Sequence, residues 1–379
     1  MMEILDFKKP DNNTINFTIK NINLTLVNAL RRIILSEIPS LAFDTDDIEN
    51  PDIVIEKNTS SIHNEFLQHR IGLIPIHIKG EQLLSYKKDK YNFILDIINN
   101  TNDSLDVTTE HIQVFDNETN SLLSESELRK IFPKNPLTGE FILLNILKPN
   151  KSNSNIGEEL KINAKASVNT AKKNSKWCVV SESSFSNLID TEIAEKKLNE
   201  ILDESEDKTT ENLKRIRDNF YNHEAYRYFV KDKLDNPIAF NIVVESIGVM
   251  EPVDIYLESF EILENKLNDF IKNMNDEHSD NVKIIKGDTL SESYDIIIKN
   301  ENDTLGNLLQ TYMYNLFNNK KIKFSGYKIP HPLIKEVVVR IALIDDNDNI
   351  DDLKNILIEC VENIKNDIQV YQNLLSEYK

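Results

Sequence analysis

Cysteine is scarce in this 379-residue chain: Cys178 and Cys360 are the only two, too few for a disulfide framework or a cysteine-based zinc site and suited to a reducing compartment. No apolar run approaches the ~18 residues that a membrane span requires, and MMEILDFKKP lacks the apolar stretch of a signal peptide. An intracellular protein without a membrane partner is therefore expected. Positive charge is also short. The 44 Lys and Arg stand against 63 Asp and Glu, a net charge of −19, which opposes any general grip on phosphate backbones and any direct reading of nucleic-acid sequence. The signatures of common catalytic sites are missing too, with no Gly-rich phosphate loop, no GxSxG elbow and no HExxH. A chain of this length has room for two or three domains with sizeable cores, so these absences weigh against an active site of its own.

The weaker constellations read as ordinary surface. His63 and His69 flank NEFLQ, a spacing that puts them on different faces of a helix and away from a shared metal. The run Asp345 to Asp352 resembles the start of a calcium loop, yet Ile350 stands where a Gly must turn and Ile356 where the bidentate Glu belongs; a solvated turn is the better reading. Asp44, Asp46 and Asp47 read as an exposed strand edge. Lys172-Lys173, Lys196-Lys197 and Lys320-Lys321-Lys323 lack the interleaved aromatics of a single-strand platform. No metal and no cofactor are expected.

What is there is a helix. In LTLVNALRRIILSEIPSLAF, from Leu24 to Phe43, Thr25 is a candidate N-cap and Pro39 a stop, bracketing about three and a half turns. Leu26, Val27, Ala29, Leu30, Ile33, Ile34, Leu35 and Ile38 make a stripe too wide for one core face, so the helix needs cover from more than one side. The same pattern returns later in the chain. Asn21 to Leu30 and Asn300 to Leu309 both read NxNxTLxNxL, and each copy runs through an apolar helix into an alternating segment, Ala42 to Ile48 and Ile322 to Tyr327. Chance similarity in so Asn-rich a chain is the competing explanation.

In order, residues 1–23 read as a strand pair, with Ile15, Phe17 and Ile19 alternating. A second alternating stretch fills Leu41 to Lys57, and a short helix capped by Ser60 or Ser61 runs through Arg70. From 79 to 235 short strands (Phe93 to Ile98, Ile112 to Phe115, Phe141 to Leu147, Lys176 to Val180) alternate with polar stretches such as Lys148 to Ile156, a β-rich insert. Asp190 to Asn222 is charged enough to be exposed helix or mobile segment. Strand pattern returns over Ala239 to Tyr256 and helix over Glu258 to Met274. The polar stretch 276–287 reads as a tether. Beyond it come a strand at Tyr294 to Lys299, a helix from Leu305 to Phe317, strands at Lys321 to Ile329 and Ile334 to Leu343, and a long last helix. Leu353, Leu357, Cys360, Ile364, Ile368, Tyr371, Leu375 and Tyr378 give that helix a near-heptad seam, for which the Phe260 to Met274 helix is the natural partner.

Two sets of motifs carry a family resemblance. Asn28-Ala-Leu-Arg-Arg32, Ser36-Glu-Ile-Pro39, Glu65-Phe and His69-Arg-Ile-Gly-Leu-Ile-Pro75 resemble the assembly subunit of cellular RNA polymerases: the bacterial alpha amino-terminal domain, the archaeal D subunit and the third-largest eukaryotic subunit. Ala164 to Trp177 and Val244-Glu-Ser-Ile-Gly248 are similar to later parts of that subunit. Asp303 to Leu309 with Phe324-Ser-Gly-Tyr-Lys-Ile-Pro-His-Pro-Leu333 resembles its smaller partner, the archaeal L subunit and its eukaryotic counterpart. In cells these are separate chains; a fusion of this kind is similar to what large DNA viruses of eukaryotes carry.

The resemblance implies an α+β architecture in which two alpha-like dimerisation modules, each an antiparallel sheet with helices, pack as an intramolecular pseudo-dimer with a β-rich inserted domain. The first module would comprise 1–78 and 236–275, the insert 79–235, the linker 276–287 and the second module 288–379. It implies a non-catalytic platform for the two largest polymerase subunits and a small polymerase subunit, working in the nucleus of a cellular source or in the virion and host cytoplasm of a viral one. Arg31, Arg32, Glu65, His69 and Arg70 are then expected to meet a large subunit. Leu26, Leu30, Ile33, Ile34, Leu305, Leu308, Leu309, Leu357, Ile364 and Tyr371 are expected in the intramolecular interface. Asn28, Gly72, Pro75, Gly306, Asn307, Gly326, Tyr327, His331 and Pro332 mark the motifs, although Asn28 and Asn307 could equally bond nearby backbone, Gly72 and Gly326 supply turns, and His331 fix a loop. Some members hold zinc or an iron–sulfur cluster through clustered cysteines; the insert has none beyond Cys178, so metal binding does not carry over. A free-standing interaction scaffold on the same dimer fold is the alternative, and an enzyme with an unrecognised site in the insert a third.

Overall fold

A computed structural model describes residues 2–46, 50–149, 157–276, 278–287, 293–345 and 349–379. Asp47 and Ile48 of the second alternating stretch, residues 150–156 of the Asn-rich run and 346–348 of the acidic run lie outside the described residues. The chain divides into two compact units, one of Met1–Ile34, Glu182–Glu245 and Pro252–Lys379, the other of Leu35–Ser181 and Ser246–Glu251.

The first unit holds both copies of the repeat. Strands β1 (Glu3–Lys8) and β2 (Thr14–Lys20) form the opening hairpin and lead into helix α1 (Leu24–Ser36). Later come strand β3 (Val180–Asn187), helices α2 (Thr191–Glu204) and α3 (Thr210–Asn219), strand β4 (Ala239–Ser246) and helix α4 (Pro252–Asn275). The second copy follows as β5 (Val282–Lys286), β6 (Ser293–Lys299), helix α5 (Asp303–Phe317), β7 (Ile322–Lys328), β8 (Glu336–Leu343) and helix α6 (Ile350–Ser376). Each copy builds a four-stranded sheet, in the orders β1-β2-β4-β3 and β5-β6-β8-β7. This is the mixed α+β class that the motifs imply.

The repeat turns out to be a helix entrance. Asn21 and Asn300 sit at φ of 59° and 62°, in the left-handed region that Asn tolerates better than other residues with a Cβ. Two residues on, the Asn23 carboxamide oxygen accepts from the Thr25 amide and hydroxyl (2.9 and 2.8 Å), and that of Asn302 accepts from the Thr304 amide (2.9 Å). The caps are therefore Asn23 and Asn302, which corrects the assignment to Thr25: the hydroxyl of Thr25 is itself a donor to the true cap.

Other expectations also shift. Helix α4 starts at Pro252 rather than at Glu258, because proline's fixed φ suits a first helical position and Val253, Ile255 and Tyr256 bury on the helical side. The stretch read as a tether contains β5, paired with β6 from Val282↔Ile298 to Lys286↔Tyr294. Asp190 to Asn222 carries α2 and α3, folded over a small core of Ala194, Leu198, Leu202, Phe220 and Ala225.

The second unit is built on a five-stranded sheet in the order Ile53–Asn58, Glu159–Ala164, Tyr91–Ile98, Gln113–Asp116, Ser121–Leu122. Its core gathers Phe43, Phe93 and Phe132, with Phe93 meeting the other two edge-on, a favoured arrangement of ring quadrupoles. A helix, Asn64–Gly72, buries Leu67 and Ile71 in this core. Its cap is His63, whose Nδ1 accepts from the Glu65 amide, not Ser60 or Ser61. Pro39–Ala42 is a strand paired with Ser167–Thr170. The strand expected at Lys176 to Val180 is instead a 3-10 turn over Ser175–Trp177, held because the fully buried Trp177 donates its indole N–H to the Ser167 carbonyl (3.0 Å).

Candidate functional site

Leu26, Leu30, Ile33 and Ile34 on α1, Leu305, Leu308 and Leu309 on α5, and Leu357, Ile364 and Tyr371 on α6 are all buried, none above 2% exposed. Helices α4 and α6 are in direct contact, as the seam spacing predicts. Tyr256 and Tyr371 share a hydrogen bond between their hydroxyls (2.7 Å) at full burial, and Phe260 packs edge-on against Tyr371 at 5.0 Å. Burial pushes both phenols well above the ordinary tyrosine range, and the shared hydrogen bond adds to the rise at Tyr371 while partly offsetting it at Tyr256. At the end of the seam Phe7 from β1 stacks on Tyr378 at 4.2 Å, while the Lys266 ammonium donates to the Glu301 carboxylate at 2.8 and 3.0 Å.

The two helix entrances are joined directly. Arg32 on α1 donates from Nε to the Thr304 hydroxyl (2.8 Å), so this side chain, which the motifs assign to an outer face, is committed to the seam between the copies. Beside it, burial and the nearby Asp303 carboxylate push the Tyr327 phenol up while the Arg32 guanidinium partly offsets them. Gly306 lies underneath. A Cβ there would meet Val337 Cγ2 at 2.5 Å and the Tyr327 ring at 3.0 Å, so its role is close approach.

The remaining motif residues separate. The Asn28 carboxamide oxygen accepts from Arg31 Nε (3.0 Å), and that of Asn307 from the Thr311 hydroxyl (3.4 Å). Arg31 is half-buried, and burial and the adjacent Arg32 lower its pKa from the usual arginine value. Gly72 ends its helix with the Thr45 methyl 3.0 Å from where a Cβ would stand, and Gly326 lies within β7 under the Phe324 ring. Neither has positive φ, so both are kept small by neighbours and not by a turn. Pro75 is half-buried. His331 Nδ1 accepts from the Leu333 amide (3.1 Å) and fixes the loop that also exposes Pro332.

In the second unit, Glu65, His69 and Arg70 stand together on the outer side of the Asn64–Gly72 helix, all exposed. Arg70 donates to the Leu143 carbonyl (3.0 Å). Sequence reasoning passed over Phe66, which is 71% exposed between these charges, with Leu73 at 55% nearby in sequence. The signal was present, since Leu67 and Ile71 already define the buried stripe and leave Phe66 off it. An aromatic ring left in water beside an arginine is a typical anchor for a protein partner.

Comparison with known proteins agrees with this geometry. The chain belongs to the RNA polymerase Rpb3/Rpb11 dimerisation domain family: one model of that description matches residues 16–267, and a second of the same description matches residues 293–373. Among its relatives are the conjugation stage-specific protein of Tetrahymena thermophila, 28% identical over 312 residues covering 70% of this chain and 92% of the relative, and the DNA-directed RNA polymerase II subunit rpb3 of Dictyostelium discoideum, 23% identical over 309 residues covering 71% and 92%. The human DNA-directed RNA polymerases I and III subunit RPAC1 is 37% identical over 73 residues, 19% of each chain. The protein is thus homologous to subunits of DNA-directed RNA polymerases and carries two dimerisation domains in one polypeptide.

Proposed function

We propose that this chain is the assembly subunit of a multisubunit DNA-directed RNA polymerase, a platform that contributes no reacting group and on which the two largest subunits gather. The observation that carries the reading is the seam: two family domains bury each other's helices within one unit, through Arg32 with Thr304 and Tyr256 with Tyr371. In this reading the fusion replaces a heterodimer, so the first assembly step is already complete in the folded chain. The outward candidates are Arg31 on the first unit and Glu65, Phe66, His69 and Arg70 on the second.

The test is co-expression of the full chain with the two largest polymerase subunits from its source, followed by affinity capture on this chain. Phe66→Asp with Arg70→Glu is expected to leave the fold intact, since both side chains are exposed, and to lower recovery of a large subunit by roughly 10-fold or more, as loss of an interface anchor does. Arg31→Glu is expected to do the same from the other unit. Full recovery with both variants would remove these residues from the interface, and failure of the unaltered chain to retain either large subunit would remove the function.

A further inference from the structure

The repeat gives each residue of one entrance a counterpart in the other. Setting Asn300 on Asn21 sets Thr304 on Thr25 and Thr311 on Arg32. On one side of the pair, Arg32 reaches across to Thr304, so a long side chain fills the seam. The counterpart contact would join Thr311 to Thr25. A threonine cannot span what an arginine spans, and there the seam stays open: Thr25 and Thr311 both line a groove of about 830 Å³, with Leu24, Leu234, Tyr314 and Asn315 around it.

The chemistry of this groove departs from the rest of the surface. Charged residues make up 28% of the chain, yet the lining has a single one, Asp232. Its carboxylate is occupied within its own turn, accepting from the amides of Leu234 (2.7 Å) and Asn236 (2.9 Å) and from the Asn236 side chain (3.2 Å). Leu234 is 80% exposed at the rim and Tyr314 49%. Among the described residues, the Tyr314 hydroxyl and the Asn315 carboxamide have no hydrogen-bond partner. Carboxamides and a hydroxyl both donate and accept, which matches the alternating N–H and C=O groups of an extended peptide and offers no counter-charge to a phosphate or an ionised side chain.

We propose that this groove, closed on one side of the pseudo-dimer by Arg32 and left open on the other by Thr311, docks an uncharged extended segment of another protein. One large apolar side chain of that segment rests on Leu234 and Tyr314, and its backbone bonds to Asn315. The assignment stands independently of the polymerase reading, since it rests on the broken symmetry of the two entrances.

The experiment pans a random-peptide phage library on the full chain and measures binding of the selected peptides as synthetic ligands. Uncharged peptides with a Trp, Phe or Leu are expected. Thr311→Arg, which should reach Thr25 as Arg32 reaches Thr304, and Leu234→Asp at the exposed rim should each weaken binding about 10-fold or more, whereas Leu137→Asp, at a leucine 94% exposed in the other unit, should leave it unchanged. Unaltered unfolding transitions establish that each variant is folded, and Leu234→Asp, outside any core, serves if Thr311→Arg is not. Selection of charged peptides, absence of any enriched peptide, or binding indifferent to Leu234→Asp overturns the proposal.

Discussion

Removing both hydroxyls of the Tyr256–Tyr371 pair should cost well under twice as much as removing one. Each phenol is fully buried, at 2% and 0% exposure, and each is the other's partner at 2.7 Å. Tyr371→Phe therefore deletes a hydrogen bond whose net worth is about 1 kcal/mol and also strands the Tyr256 hydroxyl in an apolar seam, so the expected loss is about 1–3 kcal/mol. Tyr256→Phe should behave alike. The double variant leaves no polar group unsatisfied and keeps both rings against Phe260, and its loss should fall well below the sum of the singles, with a coupling of roughly 1–2 kcal/mol. The assay is urea unfolding of the full chain by two probes. Far-UV circular dichroism reports all helices, whereas fluorescence of Trp177, the only tryptophan, reports the second unit. The circular dichroism transition should move with the tyrosine variants and the fluorescence transition should stay. Additive single losses, or equal movement of both transitions, would refute the claim that these hydroxyls pair across the seam of the first unit.

Three further outcomes follow from the same packing. Arg32→Met, which keeps the apolar stem but loses the bond to Thr304, should destabilise the first unit by about 1–2 kcal/mol in the same circular dichroism assay. Gly306→Ala adds helix propensity of about 1 kcal/mol, but its Cβ would stand 2.5 Å from Val337; overpacking of about 1–3 kcal/mol should win, giving a net loss. Burial, with Glu261 and Asp254 close by, holds the Glu258 carboxyl up at about 7 against an ordinary 4.5, so the folded state binds this proton more tightly than the unfolded one. That contribution is full below about pH 4.5 and is lost as pH rises through about 7, on the order of 1–3 kcal/mol. Glu258→Gln should flatten the slope between about pH 5 and pH 8, and an unchanged slope would contradict it.

Much of the first unit could be read from local pattern. The stripe from Leu26 to Ile34 and the seam from Leu353 to Leu375 each name a helix and its buried side, because burial at helical spacing leaves its mark along a continuous stretch. The alternation of Ile15, Phe17 and Ile19 likewise identified a strand. What escaped depends on distant or competing chemistry. Thr25 and Asn23 are both good caps by type, and only the position of the left-handed Asn21 selects between them. Strand β5 was hidden in a polar stretch because an edge strand needs few apolar residues. Trp177 made a turn where a strand pattern stood, since the indole N–H required Ser167. The engagement of Arg32 with Thr304 is a contact between residues that no spacing rule connects, and from the motif alone an arginine in that place reads as an outward one. Phe66 was legible as an off-stripe aromatic, but exposure is what gives it meaning.

If the seam organises this chain, the two related modules hold each other without help from the peptide that joins them. A protease site introduced between Asp276 and Asp280 allows the folded chain to be cut after purification, and gel filtration of the cut protein at decreasing concentration then measures whether the pieces stay together. The predicted result is a single particle of unchanged size down to nanomolar concentration, with unaltered helix content. Two species eluting separately, each still folded, would contradict it.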